Sequence, residues 1–472
     1  MLLSRNSKVP PRQHVPFSSQ GTPSSSLLAA IEHYPKTLGY CVALAFGILL
    51  YGFVLVIVGN VSAMSEFHLW DVASPLGGLF DAIAAGQLQD RAGRRCCLAF
   101  AAILSAAAVA VAYVSNMPND IDARRALFLF AKLVQGSRSQ TYMSEILPPV
   151  LRGPMLAFFP IFMLLGQLMG SLVVYKSLDI AGSMGSNNCF VSQWPFSALP
   201  LLVASLKRFE RLRSFIEKED RDGASKAIGY RDCFRGVDRR RTMIVMFANL
   251  IPSIFGLPLL SKTKYFLQLI GMKHHRSFLF LQTGIVLRLA ANLISMQTLL
   301  EFGRVPLIIV SLSVSTLAWM GMGIADCFPG IFQRQWSFRY TGNTLVTVIT
   351  ACGIGAWPAS YAVGGESSSL RLRAKSQGLG WFVSGLSSVV FNLILPYIFS
   401  PDQGALRDKT GFVCAGFSAI ALVEVWLYKP EMKDRTPSKI DDMFEAVIPA
   451  RQFRKWSPLI ADPLSSDRSP QA

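Results

Sequence analysis

Three groups of charged residues stand out by their spacing. The first is Gly86-Gln-Leu-Gln-Asp90-Arg91-Ala-Gly93-Arg94-Arg95. The others are Glu145 with Arg152 and Glu366 with Arg373, each pair seven residues apart. Carboxylates and guanidiniums set out this way form charge-assisted pairs and meet helix ends. They do not make a nucleophile with its base. The sequence has no nucleotide-binding loop and no metal-ligand cluster, and its five histidines (His14, His33, His68, His274, His275) lie outside the apolar runs described next. The eight cysteines are scattered without ligand spacing and read as small apolar side chains. The chemistry on offer is electrostatic latching, so no enzyme, metal or cofactor is expected.

The elements that must hold these charges are long and apolar. Of the 472 residues, 51% are hydrophobic and 16% charged. Residues 37–65, 96–119, 153–175, 242–261, 305–325, 341–365 and 376–401 carry no charge at all. Each run supplies at least about the 20 residues a helix needs to cross ~30 Å of hydrocarbon. Seven such runs indicate an all-α, multi-pass membrane protein whose main partner is the lipid bilayer.

Twelve spans are expected, near 40–63, 72–89, 96–115, 126–141, 154–175, 190–206, 242–261, 277–300, 305–325, 341–364, 378–399 and 410–428. With a cytoplasmic N-terminus, the inner segments hold 32 of the 46 Lys and Arg and the outer segments 11, as the positive-inside bias requires. That bias also accounts for the net charge of +17. No basic stripe interleaved with aromatics suggests nucleic acid.

The organisation read from these features begins with a disordered cytoplasmic tail over 1–36, without a signal peptide. A six-helix half over 37–206 follows, then a charged cytoplasmic linker over 207–241, a second six-helix half over 242–428, and a cytoplasmic tail over 429–472. A weak repeat relates the halves. Gly93-Arg94 follows the second span and Gly303-Arg304 the eighth, and the two Glu–Arg pairs follow in the same order. Gly93 to Glu145 is 52 residues, whereas Gly303 to Glu366 is 63. The deficit falls on the fourth span, so a shortened or distorted fourth helix is expected.

The first charged cluster resembles the G-x-x-x-D-R-x-G-R-R hallmark of the major facilitator superfamily. Tyr142-Met-Ser-Glu145-Ile-Leu-Pro148-Pro-Val-Leu-Arg152-Gly153 resembles the E-x-x-P-x-x-x-R-G pattern of its sugar-porter branch. Pro430-Glu431-Met-Lys433-Asp-Arg435-Thr436, with Ile440-Asp441 and Phe444, is similar to the sugar-porter ending P-E-T-K-G-R-T…E-I-D-x-x-F. Tyr265-Phe-Leu-Gln268 and Pro396-Tyr397 look most like fungal α-glucoside and hexose permeases.

The resemblance implies a bundle of about 12 helices in two halves that carries a sugar by alternating access, as a monomer in the plasma membrane. It implies a cytoplasmic latch of Gly86, Asp90, Arg91, Gly93, Arg95, Glu145, Arg152, Glu366 and Arg373. For the sugar it points to Gln167, Tyr265, Trp357 and Asn392, amides for hydroxyls and aromatic faces for C–H surfaces.

Some positions depart from the pattern. Where proton-coupled relatives carry Asp in helix one, the chain reads Gly52-Phe53-Val54. Valine cannot titrate, so this route of proton coupling should be absent. The P-E-S-P motif after helix six is missing. Asp81, Lys132, Arg138, Arg288 and Glu424 fall within spans, where a charge is a functional hypothesis by default. The competing expectation is a transporter-like protein without transport activity, a sensor or a degenerate product. A further one is another major-facilitator solute carrier, such as a drug/proton antiporter, which fits the spans but not the ending.

Overall fold

The structure is a computed structural model. It describes residues 45–57, 68–115, 117–118, 120–135, 149–177, 188–198, 229–256, 263, 274–328, 334–369, 372–399, 406, 409–433, 435 and 437–453. Over 85–98 and 149–159 the description is of the helical backbone path alone. The helices are α1 (Ala45–Ile57), α2 (His68–Val114), α3 (Ile121–Gln135), α4 (Pro149–Ser177), α5 (Gly236–Ile254), α6 (His274–Phe302) and α7 (Arg304–Asp326). There follow α8 (Arg334–Ala351), a π-segment (Cys352–Ala356), α9 (Trp357–Ser367), α10 (Arg373–Phe399), α11 (Thr410–Tyr428) and α12 (Pro437–Glu445). Among the described residues there is no strand.

Among the described residues, six helical stretches are long and apolar enough to cross a bilayer: Pro160–Ser177, Arg276–Leu299, Arg304–Asp326, Tyr340–Ser367, Lys375–Leu395 and Thr410–Tyr428. Their outward faces present bare apolar side chains, among them Val310, Leu317, Ile420 and Trp426, which water would penalise and lipid accepts.

α2 runs 47 residues, about 70 Å, through two apolar stretches, Val72–Ala84 and Ala99–Val114. The Asp90–Arg95 cluster lies between them on an unbroken helical path, where the sequence suggested a loop between spans. No proline interrupts residues 85–98, and only Gly86 and Gly93 oppose helix there.

α3 is described over 15 residues, about 22 Å, and residues 136–141, which the expected fourth span also includes, lie outside the described residues. It begins at Ile121 rather than Ala126. The Asp120 carboxylate accepts from the Asp122 backbone N–H at 3.3 Å, and Asp122 sits in the first turn where the helix dipole favours negative charge.

Close crossings bind the bundle. Gly52 of α1 lies against the Met163 carbonyl of α4, and Gly166 of α4 lies against the Leu49 carbonyl of α1. Gly170 continues the contact against Phe53. Glycines placed reciprocally bring two backbones together, which is how membrane helices gain packing energy without a hydrophobic drive. α7 and α11 do the same through Gly323, against the Phe412 ring, and Gly411, against the Trp319 carbonyl.

The π-segment has an identifiable cause. Pro358 lacks an N–H, and its ring would collide with the carbonyl four residues back, at Ile354. Widening to five-residue hydrogen bonds relieves the clash. Gly353 and Gly355 let the widened turn sit against α6 and α7; a Cβ at Gly353 would be 2.9 Å from the Ala291 Cβ, and one at Gly355 would strike Ser311.

The first part of the C-terminal tail is folded onto the bundle. Arg241, at the start of α5, pairs with Asp441 of α12 and lies 4.5 Å from the Phe444 ring centroid. Arg240 donates to the Ile448 carbonyl at 2.6 Å, and Phe444 meets Phe453 edge to face at 5.2 Å. Phe444, Phe453 and Met443 are all buried. The Ile440-Asp441…Phe444 pattern thus works as a docking face.

Lys429, the first residue past α11, is buried with its ammonium 5.6 Å from the Phe247 ring centroid and without a hydrogen-bond partner among the described residues. Burial pulls its pKa from 10.5 down to about 7. Below about pH 7 the group is charged in both folded and unfolded chains, and the burial cost is fully present. Between about 7 and 10.5 only the unfolded chain holds the proton, so stability should rise with pH by up to about 1.4 kcal/mol per unit. Thermal unfolding in detergent should show Lys429→Met more stable than wild type near neutral pH, with the gap closing as pH rises.

Candidate transport site and cytoplasmic latch

Two packed helices from opposite halves of the sequence carry two of the four predicted sugar contacts. α4, carrying Gln167, packs directly on α9, which opens with Trp357. Both side chains are buried, Gln167 at 4% exposure and Trp357 at 1%. The π-segment ends immediately before Trp357, so the widened turn sets the rotation at which the indole leaves the helix. One turn on, Tyr361 of α9 stacks against Trp381 of α10 with ring centroids 5.4 Å apart. Tyr361 shares a helix face with Trp357, being four residues further on. That spacing was the available sequence signal for it; Trp381 had none.

α6 also packs on α4 and carries unspent hydrogen-bonding capacity. The Gln282 amide nitrogen and the Asn292 carboxamide oxygen find no partner among the described residues. Buried amides in that condition are suited to a polyhydroxylated ligand. Asn249 of α5 is buried and turned back onto its own helix, donating to the Val245 carbonyl at 2.9 Å. Asn392 is partly exposed on α10, about 16 Å along the helix from Trp381. Tyr265 lies outside the described residues.

The first-half latch residues Gly86, Asp90, Arg91, Gly93 and Arg95 lie on the helical path of α2, and Arg152 on that of α4. Glu145 lies outside the described residues. In the second half the geometry is complete around Gly303. Gly303 has φ +88°, and a Cβ there would stand 3.0 Å from the Glu431 carboxylate, so glycine is required on both counts. Glu431 accepts from the backbone N–H groups of Arg304 (3.3 Å), Val305 (2.9 Å) and Lys433 (3.0 Å). Its negative charge therefore caps the N-terminus of α7. Lys433 donates to the Glu301 carbonyl at 2.7 Å and serves the C-terminal end of α6 with the opposite charge. One short segment thus clamps the α6–α7 hairpin by both helix dipoles.

Glu366 pairs with Arg304 at 2.7 Å, both largely buried, and ties the end of α9 to the start of α7. The seven-residue spacing had suggested Arg373 for Glu366; the Arg304 contact comes from another helix and needed the tertiary structure. Arg373 is buried at the start of α10, where Gln377 donates to the Gly364 carbonyl at 2.7 Å and fastens α10 to α9. Between the halves, Tyr230 donates to the Ile83 carbonyl of α2 at 3.1 Å, and Gly378 of α10 faces the Ala82 carbonyl.

The family pattern for "Sugar (and other) transporter" matches residues 72–241 and 207–444. An MFS transporter, fmqE, from Aspergillus fumigatus is 24% identical over 80% of this chain and 76% of its own length. The general alpha-glucoside permease of Saccharomyces cerevisiae is 26% identical over 71% of this chain; the match spans 59% of the permease. Among solved structures, the proton:xylose symporter XylE aligns with a TM-score of 0.71 at 15% identity, covering 88% of this chain and 99% of XylE. The chain belongs to the sugar (and other) transporter family and is a multi-pass membrane protein with the major-facilitator fold, not an enzyme.

Proposed function

We propose that this protein carries a hexose or an α-glucoside across a membrane by alternating access, the two halves rocking about the α4–α9 seam. The observation that carries this reading is the direct packing of the Gln167 helix on the Trp357 helix, with Tyr361 and Trp381 adjoining. An amide and an indole carried on two packed helices, one from each half of the sequence, suit a sugar: one can hydrogen-bond hydroxyls, the other can cover a C–H face. The likeness to the yeast alpha-glucoside permease supports the solute class. The latch residues Asp90, Arg91, Arg95, Glu145, Arg152, Glu366 and Arg373 hold the cytoplasmic face closed in this reading. The protein works as a monomer in the plasma membrane.

Uptake of labelled maltose and glucose, in cells without their own permeases, tests the proposal. Trp357→Ala should cut uptake at low sugar by roughly 10- to 100-fold, the equivalent of about 1–3 kcal/mol of lost contact. Gln167→Ala should cost roughly tenfold. No uptake by wild-type protein correctly placed in the membrane would favour a transporter-like protein without transport activity.

A further inference from the structure

The first half encloses a lysine. Lys132 of α3 is 0% exposed, and its Nζ donates to Gln135 Oε1 at 2.8 Å and lies 5.1 Å from the Phe128 ring centroid. The Gln135 amide nitrogen donates to Gln193 Oε1 at 2.8 Å, and Gln193 donates to the Cys189 carbonyl at 3.2 Å. Both glutamines are buried. Every link beyond the amine is a neutral group, and no carboxylate of the described residues reaches Lys132. The titratable groups described on the surrounding elements are Tyr51 of α1, Asp81 and Tyr113 of α2, Tyr175 and Lys176 of α4, Arg276, Arg288 and Glu301 of α6, and Cys189. On α3 itself Asp122, Arg124 and Arg125 lie at the far, N-terminal end. The stretch 99–114 of α2 holds no charged residue.

A buried ion ordinarily has a counter-charge or water; among the described residues Lys132 has one amide oxygen and the Phe128 ring. Lysine, unlike arginine, can give up its proton. An ammonium has three N–H donors and an amine two, so the bond to Gln135 survives in either state and holds the side chain in place. The packed arrangement described above suits the amine; the same nitrogen opened to water would take a proton. Helix one offers no alternative, because Val54 is 1% exposed within an apolar cluster that includes Phe53 and Phe196.

We propose that Lys132 is a proton-binding site linked to the transport cycle. Its lone pair takes a proton from water when the first half opens. The N–H bonding pair returns to nitrogen, and the proton to water, before the half repacks. The link to transport rests on the sugar-carrier reading above; the proton site itself does not.

Two measurements on the full chain test the proposal separately. The first is thermal unfolding of purified protein in detergent across about pH 5 to 9, comparing wild type with Lys132→Met and Lys132→Arg. A purely structural lysine would shift the curve equally at every pH. A proton site gives wild type a component of pH dependence that both variants lack, beyond the Lys429 component that all three share. Gln193→Leu, which cuts the chain one link away, should move that dependence along the pH axis rather than abolish it. The second is sugar uptake in proteoliposomes at several pH values. Wild-type flux should vary up to roughly tenfold per pH unit where the site titrates, and Lys132→Arg flux should stay flat. Identical unfolding profiles for wild type and Lys132→Met would overturn the proton site. A Lys132-dependent unfolding profile without any sugar flux would uphold it and overturn the sugar reading.

Discussion

Gly166→Val should leave almost no folded protein in the membrane. A Cβ at Gly166 would overlap the Leu49 carbonyl of α1 and stand 3.0 Å from the Phe53 backbone nitrogen, so the obstacle is backbone. A side chain can turn aside; two helices in contact can only separate. Separation would also open the neighbouring contacts at Gly52 and Gly170, since all three lie in one crossing. Ordinary overpacking costs about 1–3 kcal/mol. An overlap with backbone repeated along a crossing should exceed that and consume much of a total stability of about 5–15 kcal/mol. Gly47→Ala is the matching control, because nothing lies within 4 Å of its Cβ position. It should fold as well as wild type, aided by the better helix propensity of alanine. Size-exclusion chromatography of fluorescently tagged protein reads both. A monodisperse peak for Gly166→Val would show that α1 and α4 do not cross this way.

Glu431→Ala should lower stability by about 2–4 kcal/mol, the largest loss expected from any single side chain around the α6–α7 hairpin. Three backbone N–H groups share this carboxylate, and two of them begin α7. Hydrogen bonds to a charged group are worth about 1.5–3 kcal/mol, and a carboxylate at a helix N-terminus adds about 0.3–1. Glu431→Gln keeps an acceptor and removes the charge, so it should lose roughly half as much. Lys433→Met should cost about 0.5 kcal/mol, because its bond to the Glu301 carbonyl is exposed to solvent. Thermal unfolding of the purified variants would rank the three. Equal losses for Glu431→Gln and Lys433→Met would mean that the carboxylate does not act as a helix cap.

Several parts of this arrangement were legible residue by residue. Four of the seven charge-free runs, 153–175, 305–325, 341–365 and 376–401, became membrane-length helices, because about 20 apolar residues in hydrocarbon can satisfy their backbone only as helix. The Pro430–Lys433 segment was recognisable as a motif, but what it touches was not: Glu431 reaches across 127 positions to Arg304. Glu366 was chosen for its spacing to Arg373, and the structure gives it Arg304 from α7. Asp441 and Phe444 read as part of a family ending, with no sign that Arg240 and Arg241 would hold the tail against α5.

The division has a physical origin. Composition and hydrophobic length act locally: they determined that the chain crosses a membrane repeatedly and where several of the crossings fall. Which faces of those helices meet depends on where small residues permit backbones to touch. That is settled jointly by pairs such as Gly52 with Gly166, distant in sequence and silent alone. Only the folded chain therefore decided that the Gln167 helix meets the Trp357 helix, that Pro358 widens the turn before the indole, and that Lys132 is sealed behind two glutamines.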